Sequence, residues 1–199
     1  MASKQKIALS LHRIGAIKFG SFTLKSGMKS PFYIDLRLLV SYPEVLKEIA
    51  SALLNLSKAN KLRFDRIAGI PYAALPIATA FSLLSKKPMI YSRKEAKEYG
   101  TKKQVEGEFR KGETVLVIDD LITTGQSKFE AIQPLLENGL KVKDIAVLID
   151  REQGGIQELK AKGLNLHSVL PISELAEILF KKKKISKGQY SEIISFIRQ

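Results

Sequence analysis

The chain has 199 residues, 45% of them hydrophobic, and its 33 Lys and Arg against 20 Asp and Glu give a formal net charge of +13. That length suits one ordinary domain with a packed core, and no apolar run approaches the roughly 18 residues of a membrane span. Cysteine is absent, which excludes disulfides, thiolate metal sites and a cysteine nucleophile.

The same lack fits a reducing, cytoplasmic setting, and no apolar core of a secretory leader follows Met1-Ala2-Ser3-Lys4. A surface this basic draws anions, either nucleic acid or an anionic metabolite. Aromatic residues are not interleaved with the basic ones, so no nucleic-acid partner is expected. The densest run, Lys181 to Lys184, follows an apolar helical pattern and reads as a solvated helix end that suits the helix dipole.

In chain order, residues 3–14 place Ile7, Leu11 and Ile14 at helical spacing. Residues 19–40 mix Gly, Ser, Pro and aromatics and read as an irregular β segment. From Pro43, residues Leu46, Ile49, Ala50, Leu53 and Leu54 mark one helix face, with Pro in the first turn. Strand and helix signals then alternate: strand 66–70, helix 73–84, strand 89–91, polar loop 93–112, strand 115–118, helix 127–137 and strand 145–149. Pro134 should kink or loosen the fourth of the chain's helical patterns, because it removes one backbone bond. Two more helical patterns, 172–180 and 190–197, form a tail. The alternation predicts an α/β fold with a largely parallel sheet and helices on both faces.

The stretch Thr114-Val115-Leu116-Val117-Ile118-Asp119-Asp120-Leu121-Ile122-Thr123-Thr124-Gly125-Gln126-Ser127 carries the clearest chemistry. A buried parallel strand ends in two carboxylates, at the sheet end where open α/β folds bind ligands. The turn beyond it presents N–H groups and hydroxyls at a helix start, which suits one phosphate. Two carboxylates beside a phosphate cradle make sense if they face the neutral hydroxyls of a sugar carrying that phosphate. Ordinary helix capping by Thr123 or Ser127 would use the same geometry.

This stretch resembles the 5-phosphoribosyl-1-pyrophosphate (PRPP) motif of the type I phosphoribosyltransferases. Four more segments extend the likeness to the orotate phosphoribosyltransferases, closest to the transferase half of bifunctional UMP synthases. They are Phe22-Thr23-Leu24-Lys25-Ser26-Gly27 with Ser30-Pro31-Phe32-Tyr33, then Gly69-Ile70-Pro71-Tyr72-Ala73-Ala74, then Arg93-Lys94-Glu95-Ala96-Lys97-Glu98-Tyr99-Gly100, and Asp150-Arg151-Glu152-Gln153-Gly154-Gly155. The likeness implies a type I phosphoribosyltransferase fold with a small N-terminal hood, residues 1–40, and a helical tail, residues 181–199, in one domain spanning 1–199.

It also implies transfer of phosphoribosyl from PRPP to orotate, giving orotidine 5′-monophosphate and pyrophosphate in pyrimidine synthesis. Asp119 and Asp120 would meet the ribose hydroxyls, and Thr123, Thr124, Gly125, Gln126 and Ser127 the 5′-phosphate. Tyr72 and Ala73, with Arg93, Lys94 and Lys97, would meet pyrophosphate. Lys25 and Arg151 would contact orotate, with Tyr33 as base-facing aromatic and Phe32 as core. Mg2+ would be bound mainly through PRPP rather than by a protein cage. The likeness further implies a homodimer whose loop 93–100 reaches the partner's active site.

Tyr99 stands where many bacterial relatives have His, and Ala73 where they have Lys, as in the UMP-synthase branch. His12 and His167 fall outside the motifs and read as structural or surface residues. Two alternatives are a purine phosphoribosyltransferase and a PRPP-sensing regulator without catalysis. The Lys25 segment and the loop 93–100 weigh against the first; the loop's cations and the lack of a DNA-reading extension weigh against the second.

Overall fold

A computed structural model of the chain describes residues 3–23, 27–93 and 104–198. It opens with helix α1, Lys4–Arg13, capped by the Ser3 hydroxyl, which accepts the Lys6 N–H. Strands β1, Ile17–Thr23, and β2, Lys29–Ile34, pair antiparallel as a separate two-stranded sheet. A 3-10 turn, Leu36–Ser41, leads into α2, Pro43–Ala59. The irregular β segment expected over 19–40 is thus a hairpin-like pair followed by a helical turn.

The main sheet has six strands: β3 (Arg66–Gly69), β4 (Met89–Ser92), β5 (Val105–Glu106), β6 (Thr114–Ile122), β7 (Lys141–Asp150) and β8 (Asn165–Pro171). Their order is β5-β4-β3-β6-β7-β8, and only the edge strand β5 runs antiparallel. Helices α3 (Ala74–Ser85), α4 (Gln126–Glu137), α5 (Gly155–Ala161), α6 (Ile172–Lys181) and α7 (Lys187–Ile197) complete the fold. Among the described residues, no helix is long and apolar enough to cross a membrane.

Side chains alternate across the sheet and supply two cores. Leu116 and Ile118 of β6, with Ala146 and Leu148 of β7, pack under α1, α2, α3, α6 and α7. Val115 and Val117, with Ile145 and Val147, face α4 and α5 on the other side. Both faces of these strands are covered, which is why their sequence is a continuous apolar run rather than an alternating one.

Several expectations need correction. The loop expected over 93–112 contains β5, whose two residues are too few and too polar to register as a strand. Helix α5 and strand β8 were not anticipated either; α5 has seven residues, and β8 includes Asn165, His167 and Ser168. Helix α4 continues through Pro134 to Glu137, because Ile132 and Leu135 anchor that turn in the core. Helix α7 begins earlier than residue 190, set by a capping box between Ser186 and Gln189.

Candidate active site

Strand β3 pairs with β6 only as far as Gly69 opposite Ile118, whereas β6 runs on beside β7 to Ile122 opposite Asp150. One flank of Asp119 and Asp120 is therefore unpaired. It opens onto a cavity of about 600 Å³ at the carboxyl end of the sheet, whose walls include Tyr72, Ala73, Arg93, both aspartates and Lys128. Strand 115–118 was expected to stop before the aspartates; pairing with β7 carries it past them.

The two carboxylates sit in different settings. Asp119 is buried on the α4 side of the sheet, and Asp120 is only partly so. Asp119 Oδ1 accepts the Asp120 N–H at 2.8 Å, and Asp120 Oδ1 accepts the Leu121 N–H at 2.8 Å. The second oxygen of Asp119, Oδ2, lies against the ammonium of Lys128. Burial pushes the Asp119 carboxyl above the usual carboxylate range; Lys128 opposes that rise and Asp120 adds to it.

Beyond β6 the chain turns at Gly125, whose φ of 99° is the left-handed region that glycine tolerates best. Gly125 is the N-cap of α4, and no side chain caps the helix there. Thr123, Thr124 and Ser127 thus do not serve as its cap. The first-turn N–H groups are thus without a side-chain cap, and Thr124, Gln126 and Ser127 are exposed. On the next strand over, residues 70–73 connect β3 to α3, with Ala73 at the N-cap and Tyr72 exposed. Arg93 follows β4; its N–H donates to the Gln104 carbonyl at 2.8 Å and its Nη1 to Glu106 Oε1 at 3.0 Å. The β4–β5 pairing thereby ties down both ends of the loop. Lys25, Lys94, Lys97 and Tyr99 lie outside the described residues.

Arg151 is brought to the same end of the sheet by β7, where its N–H donates to the Ile122 carbonyl at 3.0 Å. Its side chain is buried, yet among the described residues Nε and Nη2 have no hydrogen-bond partner. Burial lowers its pKa, since a guanidinium loses hydration there. The guanidinium lies 4.9 Å from the ring centroid of Phe32, and Phe32 meets Phe196 of α7 edge-on at 5.8 Å. Phe32 is core, as expected, but also the floor beneath Arg151. Tyr33 projects from the opposite face of β2, against Phe22 at 5.7 Å, with its hydroxyl accepting from Arg37 Nη2 at 3.4 Å. The structure therefore brings Asp119, Asp120, Ala73, Tyr72, Arg93 and Ser127 around one cavity, with Arg151 one strand away.

The loops after β6 and β7 touch. A Cβ added at Gly155 would fall 2.7 Å from the Thr123 carbonyl oxygen and 2.8 Å from the Ile122 side chain. The histidines stand apart: His167 Nε2 lies 2.9 Å from Asp144 Oδ1 between β8 and β7, and His12 stacks on Phe19. Among the described residues, no three His, Cys, Asp or Glu side chains cluster as a metal cage. Lys128 and the Phe32 floor escaped the sequence reading. The one signal for Lys128 was a cation in the first turn of a helix, where it opposes the dipole.

The family model for the phosphoribosyl transferase domain matches residues 39–167. Over 193 residues the chain is 42% identical to uridine 5′-monophosphate synthase of Bos taurus, a match covering 97% of the chain and 40% of that protein. It is 39% identical to the orotate phosphoribosyltransferase of Pyrococcus horikoshii, across 95% of the chain and 100% of that protein. The structure of Leishmania donovani UMP synthase superposes with a TM-score of 0.90 at 41% identity, covering 98% of the chain and 42% of that one. The chain thus spans about two fifths of the synthases it matches and the whole of the shorter transferase.

Proposed function

The chain belongs to the phosphoribosyl transferase domain family and, within it, to the orotate phosphoribosyltransferases, and from that premise we propose that it makes orotidine 5′-monophosphate from PRPP and orotate in pyrimidine nucleotide synthesis. The supporting observation is the juxtaposition of an acidic strand end, an uncapped glycine turn and a buried guanidinium whose Nε and Nη2 lack hydrogen-bond partners among the described residues. The first two suit a phosphorylated sugar, and the third suits the carboxylate of a planar acid.

In the reaction, a ring nitrogen of orotate gives up its proton, through water, to the departing pyrophosphate and forms its bond to the anomeric carbon as the bond to pyrophosphate breaks. Pyrophosphate leaves with the electron pair. Asp119 and Asp120 accept hydrogen bonds from the ribose hydroxyls and place negative charge near the cationic carbon. Thr123 to Ser127 hold the 5′-phosphate. Residues 72 and 73, Arg93, and the loop lysines Lys94 and Lys97 meet the departing pyrophosphate. Arg151, with Lys25, orients orotate. Mg2+ would be carried mainly on PRPP oxygens and water rather than by a protein cage, and would add neutralising charge at pyrophosphate. Residues 1–199 act as one domain in the cytoplasm, with 1–40 as hood.

Orotate consumption with PRPP and Mg2+ tests this reading, and adenine and hypoxanthine in its place test the purine alternative. Turnover of a purine but not orotate would overturn the base assignment. PRPP binding with salt-sensitive DNA binding and no turnover would favour the regulator.

The dimer is testable separately. A Lys97→Ala chain and an Asp120→Asn chain, each nearly inactive, should regain activity on mixing, since one site of the heterodimer then holds both residues intact. Heterodimers seen by native mass spectrometry without regained activity would rule out a shared site.

A further inference from the structure

Lys128 is the one cation of α4's first turn, three residues after the Gly125 N-cap. Positive charge at that end of a helix opposes the helix dipole. The helix alone therefore gives no reason for it. Its side chain is 12% exposed, and its ammonium meets Asp119 Oδ2, on a side chain 3% exposed. Asp119 Oδ1 is already taken by the Asp120 N–H, so Lys128 meets the carboxylate's remaining oxygen. Lys128 also lines the cavity shared by residues 70–73 and Arg93.

The charges around the cavity explain what the pair does. Among the described lining residues, Asp119, Asp120 and Glu130 are acidic, and Arg93 and Lys128 basic. Arg93 is itself paired with Glu106. Without Lys128, a buried carboxylate would stand beside Asp120 with no cation, and protonation would be its easiest relief. A protonated Asp119 is a poor acceptor for a ribose hydroxyl and a poor partner for a cationic carbon.

We propose that Lys128 is a positioning residue for the ribose site: its ammonium pairs with the buried Asp119 carboxyl group and fixes it at the cavity wall. This rests on the PRPP reading of the site. It assigns a role to a residue outside the phosphate turn and supplies, from the same subunit, a cation beside the loop that carries Ala73.

The test compares Lys128→Met, Lys128→Arg, Asp119→Asn and Asp119→Asn/Lys128→Met with the parent enzyme across pH 6 to 9. Lys128→Met should lower kcat/KM for PRPP about ten- to a hundredfold at neutral pH, the scale of a lost charged hydrogen bond. The loss should shrink as pH rises, because the orphaned Asp119 ionises only at higher pH, so the acidic limb moves upward. The groups facing Asp119 are Lys128 and Asp120, with Arg93 and Glu130 across the cavity. Lys128→Arg should restore most of the activity. In the Asp119→Asn background, Lys128→Met should add less than about threefold, the sign of two residues acting as a unit.

An unchanged pH profile in Lys128→Met, or a full independent loss on top of Asp119→Asn, would overturn the inference. Calorimetric titration with PRPP reads the same pair without turnover: PRPP binding weakened by Lys128→Met at pH 6.5 and restored at pH 9 supports it, and equal affinity to the parent at both refutes it. No orotate turnover by the parent enzyme would instead count against the functional reading.

Discussion

Asp120→Asn should cut turnover about a hundred- to a thousandfold, the usual cost of removing one preorganised electrostatic group from a transition state. Asp120 is partly exposed and makes no ion pair among the described residues, so the amide replaces it with little change in packing. Its thermal midpoint should stay within a few degrees of the parent, and PRPP should still bind through the phosphate turn. Asp119→Asn should impair turnover as strongly but is a less selective change, since it also strips Lys128 of its buried partner. A loss of stability is therefore expected for Asp119→Asn and not for Asp120→Asn. Steady-state kinetics with both substrates, beside thermal melts, separate the two. Near-parental kcat in both variants would remove the carboxylates from the mechanism.

Arg151→Met should weaken orotate use about ten- to a hundredfold while leaving PRPP affinity within a factor of two, because a charged hydrogen bond to the base's carboxylate is lost. The same substitution should be neutral or stabilising. Among the described residues the buried guanidinium has two unpartnered nitrogens, so it carries a desolvation cost that the ring of Phe32 offsets in part. Methionine fills the space without that cost. Calorimetry with each ligand and a denaturant melt read the three quantities. A large loss of stability would mean that Arg151 is structural, and equal losses for PRPP and orotate would mean a general collapse.

Much of this site was legible in the sequence because its parts are local. The apolar run 115–118, the two carboxylates and the glycine turn are contiguous, and contiguity is what a sequence displays. Arg151 was legible because it stands just beyond a strand. Lys128 was not, because its partner lies nine residues back on a different element and only the folded β6–α4 unit brings them together. In a helical window, one lysine reads as solvent face. The floor of Arg151 was hidden for a similar reason: Phe32 and Phe196 come from opposite ends of the chain. In the fold, apolar elements were recovered, even the four-residue strands β3 and β4, whereas polar or weakly patterned ones were not. Strand β5 exists only because β4 offers it an edge, and β8 hides its identity behind Asn165 and His167.

The contact between Gly155 and the Thr123 carbonyl turns two loops into a ruler. At Gly155 there is no room for a side chain between the backbone and either the Thr123 carbonyl or the Ile122 side chain, so these two loops sit as close as glycine allows. The spacing between the glycine turn after β6 and the segment that follows Arg151 is accordingly held by close packing. For two reactants that must close to within roughly 3–3.5 Å before a bond can form, a fixed gauge of this kind is worth more than any single contact.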